Sequence, residues 1–257
     1  MPLLPTEEDP RLTLALTENR VCTGVTTLRG RAFVSYPSAD GPGVQVAEAL
    51  PDGGRNPYPD AAWNRPDQSP DGAFVHVNGL RAGPDGRLWI VDSGAPQLGA
   101  RQIPGGARLI VVDVDRDRVD RMHHLDAAVR PDSYIDDVRF HDGTAYLTDA
   151  GADQLEVSPD GRPAGLRRHV PDRHPLAGRP DPVARGVGPT GRALVGQAEH
   201  RLSWVDAMWL DTDGQLWMPA AQLHLTAGLN GGHSAVDYPV EVYRMPVDAV
   251  PPPLGTA

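Results

Sequence analysis

His76-Val-Asn-Gly-Leu-Arg-Ala-Gly-Pro-Asp-Gly-Arg-Leu-Trp-Ile-Val-Asp-Ser-Gly94 reads as two short strands joined by a tight turn. Alternating residues run into Pro84-Asp85-Gly86, and the chain leaves that turn as a β-rich run, Leu88 to Val91. A turn tripeptide between two such runs is the mark of an antiparallel hairpin. The pattern returns at Tyr134 to Asp149 and at Trp204 to Met218. Each copy sets a polar residue 7 or 8 positions before the turn glycine: 8 residues from Asn78 to Gly86, 7 from Asp136 to Gly143 and 8 from Asp206 to Gly214. A fainter copy runs from Thr23 to Gly30 with an offset of 7. Equivalent positions are 55, 58 and 70 residues apart, room for a small four-stranded sheet in each interval. The expected fold is all-β, a β-propeller with four readable blades.

The chain has 257 residues, and no Ser/Gly linker or charge block divides it, so residues 1–257 read as one domain. Its 28 Gly and 27 Pro are spread among turns, as many short strands require. The formal charge is −10 and the basic residues are scattered singly, which disfavours nucleic acid and anionic membranes as partners. All of those basic residues are arginine, so Schiff-base and lysine-nucleophile chemistry is excluded. Cys22 is the single cysteine and sits between Val21 and Val25, a place for a buried small residue. The first eleven residues carry Glu7, Glu8 and Asp9 and lack an apolar core, and no run is long enough to cross a membrane. A cytoplasmic location is the expectation.

Taken in order, Leu12 to Leu16 alternates as an outer strand, and residues 21–34 supply the first hairpin. Residues 38–73 form a long Pro/Gly-rich connection holding Trp63, either a functional loop or an outer strand pair with a loose tip. Ala107 to Val114 is a continuous apolar run, a buried strand. Its successor ends in His123-His124, neighbours that point to opposite faces and therefore read as surface residues rather than a metal pair. Outer strands of the third repeat fall at 154–162 and 166–170, and residues 171–200 read as irregular. The last repeat would take Pro239 to Met245 as an outer strand, with the Leu12 strand closing against it.

Phe74-Val-His-Val-Asn-Gly-Leu-Arg81, Leu88 to Pro96, Arg130 to Phe140, Ala145 to Gly151 and Leu202 to Trp209 together resemble the bacterial branch of the major royal jelly protein/Yellow family. That family is similar in architecture to gluconolactonase-type propellers, typically of six blades. Here the interval that would hold two of those blades has shrunk to residues 171–200, so closure with four is expected. The resemblance implies tautomerase- or isomerase-like, cyclase-like or lactone-hydrolase chemistry, in a setting such as secondary metabolism. It also implies a rival, a non-catalytic small-ligand binder.

The innermost strand of a propeller blade lines the axis, so Asn78, Asp136 and Asp206, with Thr23, should meet there. Two carboxylates and a carboxamide suit a hard divalent cation such as Ca²⁺, and no organic cofactor is indicated. Without a cation the carboxylates repel and one is pushed toward its acid form, which is how a general acid/base arises. The scaffold reading is that these side chains hydrogen-bond backbone amides. Residues two earlier should share their face: His76, Tyr134 and Trp204. His76, Tyr134 and Asp136 are thus the candidate catalytic groups, with the acidic axis expected to favour charged His76. Asn78, Asp136 and Asp206 are the candidate metal ligands. Trp204, Asp92, Asp149, Gln222 and His224 are candidate substrate contacts, with Asn230 on the loop beside them. Asp92 and Asp149 also read as turn formers. The expected partner is a small, cyclic or aromatic metabolite. No nucleophile elbow, phosphate loop or His-Glu-x-x-His zinc helix occurs.

Overall fold

The computed structural model describes residues 9–65, 69–151 and 201–249, together with the strand backbones at 155–157, 163–166, 183–188 and 191–197. In chain order the strands are β1 (Thr13–Glu18), β2 (Gly24–Leu28), β3 (Arg31–Ser35), β4 (Val46–Ala49), β5 (Arg55–Pro57), β6 (Val77–Ala82), β7 (Leu88–Ser93), β8 (Ala107–Asp113) and β9 (Arg118–His124). They continue as β10 (Ile135–His141), β11 (Thr144–Asp149), β12 (Leu155–Val157), β13 (Pro163–Leu166), β14 (Val183–Gly188), β15 (Gly191–Gln197), β16 (Trp209–Leu210), β17 (Gln215–Pro219) and β18 (Val240–Pro246). Four sheets have four antiparallel strands each: β2 to β5, β6 to β9, β10 to β13, and β16-β17-β18-β1. This is the β-propeller read from the repeats.

The turns that announced the repeats have the backbone they need. Gly30, Gly86, Gly143 and Gly214 all take φ between 67° and 74°, the left-handed region open to glycine at little cost. In the first and third blades the preceding residue is left-handed too (Arg29 at 53°, Asp142 at 46°), the two-residue turn that matches strand twist.

β1 pairs with β18, Thr13 opposite Arg244 and Glu18 opposite Val240, so the outer strand of the last blade comes from the start of the chain as expected. Two expectations need correction. Residues 171–200 are not wholly irregular, because β14 and β15 pair as a two-stranded sheet. The turn expected at Ala177-Gly178 lies outside the described residues. His123 is half-buried, stacked on Trp89 at 5.5 Å, rather than fully at the surface, while His124 is exposed. The 38–73 connection supplies β4 and β5, and Asn64 pins it by accepting from the Gln45 and Val46 amides.

In the second blade the three inner strands are mostly buried and the outermost is exposed. β2 is almost wholly buried and β8 completely so, whereas β9 is largely exposed. The core lies between adjacent blades, one cluster joining Val25, Phe33, Leu80, Ile90 and Val242, another joining Val91, Leu109, Val138 and Leu147. Cys22 is fully buried, and burial pushes its thiol well up, so it is a packing residue.

Candidate functional site: an acidic axial cavity

A cavity of about 370 Å³ opens between the third blade and the start of the last. Asn78, Asp136, Asp137, Arg139 and the segment Val205, Asp206, Ala207 and Met208 line it. All three candidate metal ligands are therefore brought together. Irregular pairing puts them there: register shifts fall between Val77 and Gly79 in β6 and between Ile135 and Val138 in β10. A bulge re-aims side chains, so Asp136 and Asp137, which strict alternation would send to opposite faces, both reach the cavity.

Thr23 does not join them. Its hydroxyl donates to the Asn78 carbonyl at 2.8 Å and ties β2 to β6. The Ala207 amide donates to the Thr23 carbonyl, which seats the Asp206 segment against the first blade.

Behind the cavity runs a chain of side-chain hydrogen bonds. His76 Nδ1 lies 3.0 Å from the Pro96 carbonyl, and His76 Nε2 lies 2.9 Å from the Tyr134 hydroxyl. The same hydroxyl is 3.1 Å from Asn78 Oδ1, and Asn78 Nδ2 donates to Asp136. A carbonyl only accepts, so Nδ1 carries a proton. Tyr134 then has one hydrogen for two acceptors, and the chain is one proton short of full satisfaction.

The electrostatics follow from burial. Asp206 retains access through the cavity but is otherwise surrounded by protein; burial first, then the charges of Asp136 and Asp137, push its carboxyl up to about 8. Asp136 rises to about 6, again through burial first and Asp137 second. Asp137 moves the other way: Arg81 and Arg139 overcome its burial and hold it low. Burial lowers His76 and outweighs the pull of Asp92, which corrects the expectation of a charge-favouring axis. His76 is 4% exposed, a buried residue rather than one at an open mouth.

His76 and Tyr134 meet as expected, rings 5.6 Å apart. Trp204 does not share their ring; it takes φ 54° and stacks on His224 at 5.6 Å. Asp92 is corrected from substrate contact to scaffold: it is fully buried, pairs with Arg108 and accepts from the Val75, His76 and Gly94 amides. Asp149 accepts from the Tyr134 and Gly151 amides, and so positions Tyr134 rather than lining the cavity. Gln222 clasps the backbone of Asp237 through both amide atoms, and Asn230 bonds the His233 carbonyl, so both shape their own loop. The sequence reading missed Asp137, Arg139 and Arg81, the last of which donates to Asp137 at 2.8 Å. The visible signal was the Asp136-Asp137 doublet, in which a bulge lets both side chains face one way.

No family model matches the chain, and no curated protein matches it. The resemblance to the royal jelly/Yellow family therefore finds no support in these comparisons. Solved structures that it resembles include a gluconolactonase-family protein (12% identity, 96% of this chain and 84% of that one, TM-score 0.44). Others are a streptogramin B lyase (10% identity, 87% of this chain and 64% of that one, TM-score 0.39) and virginiamycin B lyase from Staphylococcus aureus (13% identity, 81% of each chain, TM-score 0.37). The fold assignment rests on the strand pairing, which defines a β-propeller with an acidic axial cavity. The functional reading rests on that cavity.

Proposed function

We propose that the protein is a small-molecule enzyme performing proton-transfer chemistry in the axial cavity: isomerisation, cyclisation or lactone hydrolysis of a small cyclic or aromatic metabolite. The observation that carries this is the continuous chain His76–Tyr134–Asn78–Asp136, which is one proton short. With the proton at the His76 end, Nε2 donates to Tyr134, Tyr134 to Asn78 Oδ1, and Asn78 Nδ2 to Asp136. With the proton on Asp136, the Asn78 amide reverses, its nitrogen donates to Tyr134, and Tyr134 donates to His76 Nε2. Burial lowers His76 and raises Asp136 to about 6, so burial disfavours the charged form at both ends of the chain. Asp206, about 8, faces the same space as an acid still protonated at neutral pH.

The donor set also fits a hard divalent cation. Asp136 and Asp206 would hold it through oxygen, joined by Asn78 Oδ1 once its amide reverses from the Asp136-donating orientation, and its charge would offset the burial and repulsion that raise both carboxyls. Such an ion polarises a carbonyl or acidifies a bound water. Chelation is expected to lower the melting temperature, since a ligand held only by the folded state stabilises it; insensitivity to EDTA would remove the cation from the reading.

The test is a metabolite library screened by thermal shift, followed by turnover of each hit. His76→Gln and Asp136→Asn should each retain binding and lose turnover by roughly 10²–10⁴-fold. Loss of binding alone, with no turnover in the parent protein, would make it a carrier.

A further inference from the structure

We propose that Arg81 is the positioning residue that sets the separation of the two cavity walls. One wall is the third blade's Asp136, Asp137 and Arg139; the other is the Val205–Met208 segment leading into β16. Arg81 belongs to neither, coming from β6 of the second blade. Its Nη2 donates to Asp137 Oδ2 at 2.8 Å and its Nη1 to the Met208 carbonyl at 2.6 Å. Its guanidinium also lies over the Trp209 ring at 5.7 Å, and Trp209 Nε1 donates to Thr27 of the first blade. One planar group of the second blade thus holds the third and the last blades, and reaches the first only through Trp209. The rigid fork of arginine serves two acceptors at a fixed spacing, which a lysine ammonium on a flexible stem does not.

Stability alone does not call for this residue. Arg81 is 3% exposed, and its Nε is buried without a hydrogen-bond partner. A buried ion pair of this kind is often matched or bettered by apolar side chains of similar volume. What such a replacement would lack is a hold on both walls, Asp137 on one side and the Met208 carbonyl on the other. The geometric claim stands by itself; its consequence for ligand binding rests on the cavity being the working site.

Two measurements separate these. Nitroxide labels at His141→Cys and Thr212→Cys, exposed positions on the third and last blades, report wall separation by double electron–electron resonance, and buried Cys22 stays unlabelled. Arg81→Gln and Arg81→Lys should both broaden or lengthen that distance, in folded protein verified by circular dichroism. An unchanged distribution in both variants, or full recovery by Arg81→Lys, overturns the proposal, because then no fork, or only a charge, is needed. The second measurement is calcium binding by titration calorimetry. Removing a nearby positive charge should by electrostatics alone tighten cation binding, whereas loss of positioning should weaken it by roughly tenfold or more. Tightening in Arg81→Gln overturns the proposal. Absence of calcium binding in the parent protein defeats the cation reading, and the label distances still decide the role of Arg81. If Arg81→Gln fails to fold, Arg81→Lys, which keeps the charge, carries both measurements.

Discussion

At Asp206 proton binding and folding are coupled within the working pH range. Its folded-state value of about 8 stands above the ordinary 3.8, so the folded protein holds this proton more tightly than the unfolded chain. Rising pH therefore penalises folding, beginning near 4 and completing above about 8. Asp206→Asn imitates the protonated acid, so in chelator its melting temperature should gain on the parent's through that window and level off above it. A difference that stays constant from pH 4 to 9 would show that the carboxyl is not held in its acid form. His76→Gln follows different physics. As His76 is buried and hydrogen-bonded at both ring nitrogens, the substitution should cost about 1–3 kcal/mol as well as turnover, which differential scanning calorimetry can separate. Asn78, Asp136 and Asp206 were legible because each stands 7 or 8 residues before a turn glycine. The burial of His76 was not, because the residue covering its Nδ1 is Pro96, in a loop twenty positions away with no periodicity to announce it.

At the scale of strands, close approach at one glycine shapes the site. A Cβ at Gly79 would lie 2.8 Å from the Asp136 carbonyl, so β6 and β10 come together only because that position is bare. Gly79→Ala should destabilise by about 1–3 kcal/mol, as overpacking of a tight contact does. It should also impair turnover, since the displaced backbone carries Asp136. Gly72, with open space around its Cβ position, is the control: Gly72→Ala should leave the melting temperature unchanged or slightly raised. Equal behaviour of the two variants would mean that the β6–β10 contact is not tight in solution. The same strands show where reading by alternation fails. The continuous apolar run of β8 is buried throughout as expected, whereas the period-two rule breaks at the bulges in β6 and β10. Trp204 escaped the rule for a related reason: a left-handed residue before the inner strand turns its ring toward His224. The pair β14 and β15 was invisible because Gly186, Gly188, Gly191 and Gly196 within it look like turn chemistry rather than strand.

For the molecule as a whole, closure depends on few groups. Glu18, at the end of β1 and 2% exposed, accepts from Arg55 and from the Tyr36 hydroxyl at 2.7 Å, fastening the last blade to the first. Glu18→Gln leaves Arg55 poorly matched and should cost about 3 kcal/mol. That corresponds to a fall in melting temperature of roughly 6–12 °C in a chain of this size. Hydrogen exchange should speed first in the β1 and β18 amides; uniform acceleration across all blades would mean that the outer strand is not a separate unit. The β1–β18 pairing also dictates an order of events in the cell. During synthesis β1 leaves the ribosome on the order of tens of seconds before β18 exists to receive it. For that interval the last blade's edge strand is an orphan, open to pairing with any other nascent chain. The register shift between Leu14 and Leu16 breaks its ladder, which makes a six-residue strand a poor template for a neighbour while leaving it competent for its own late-made partner.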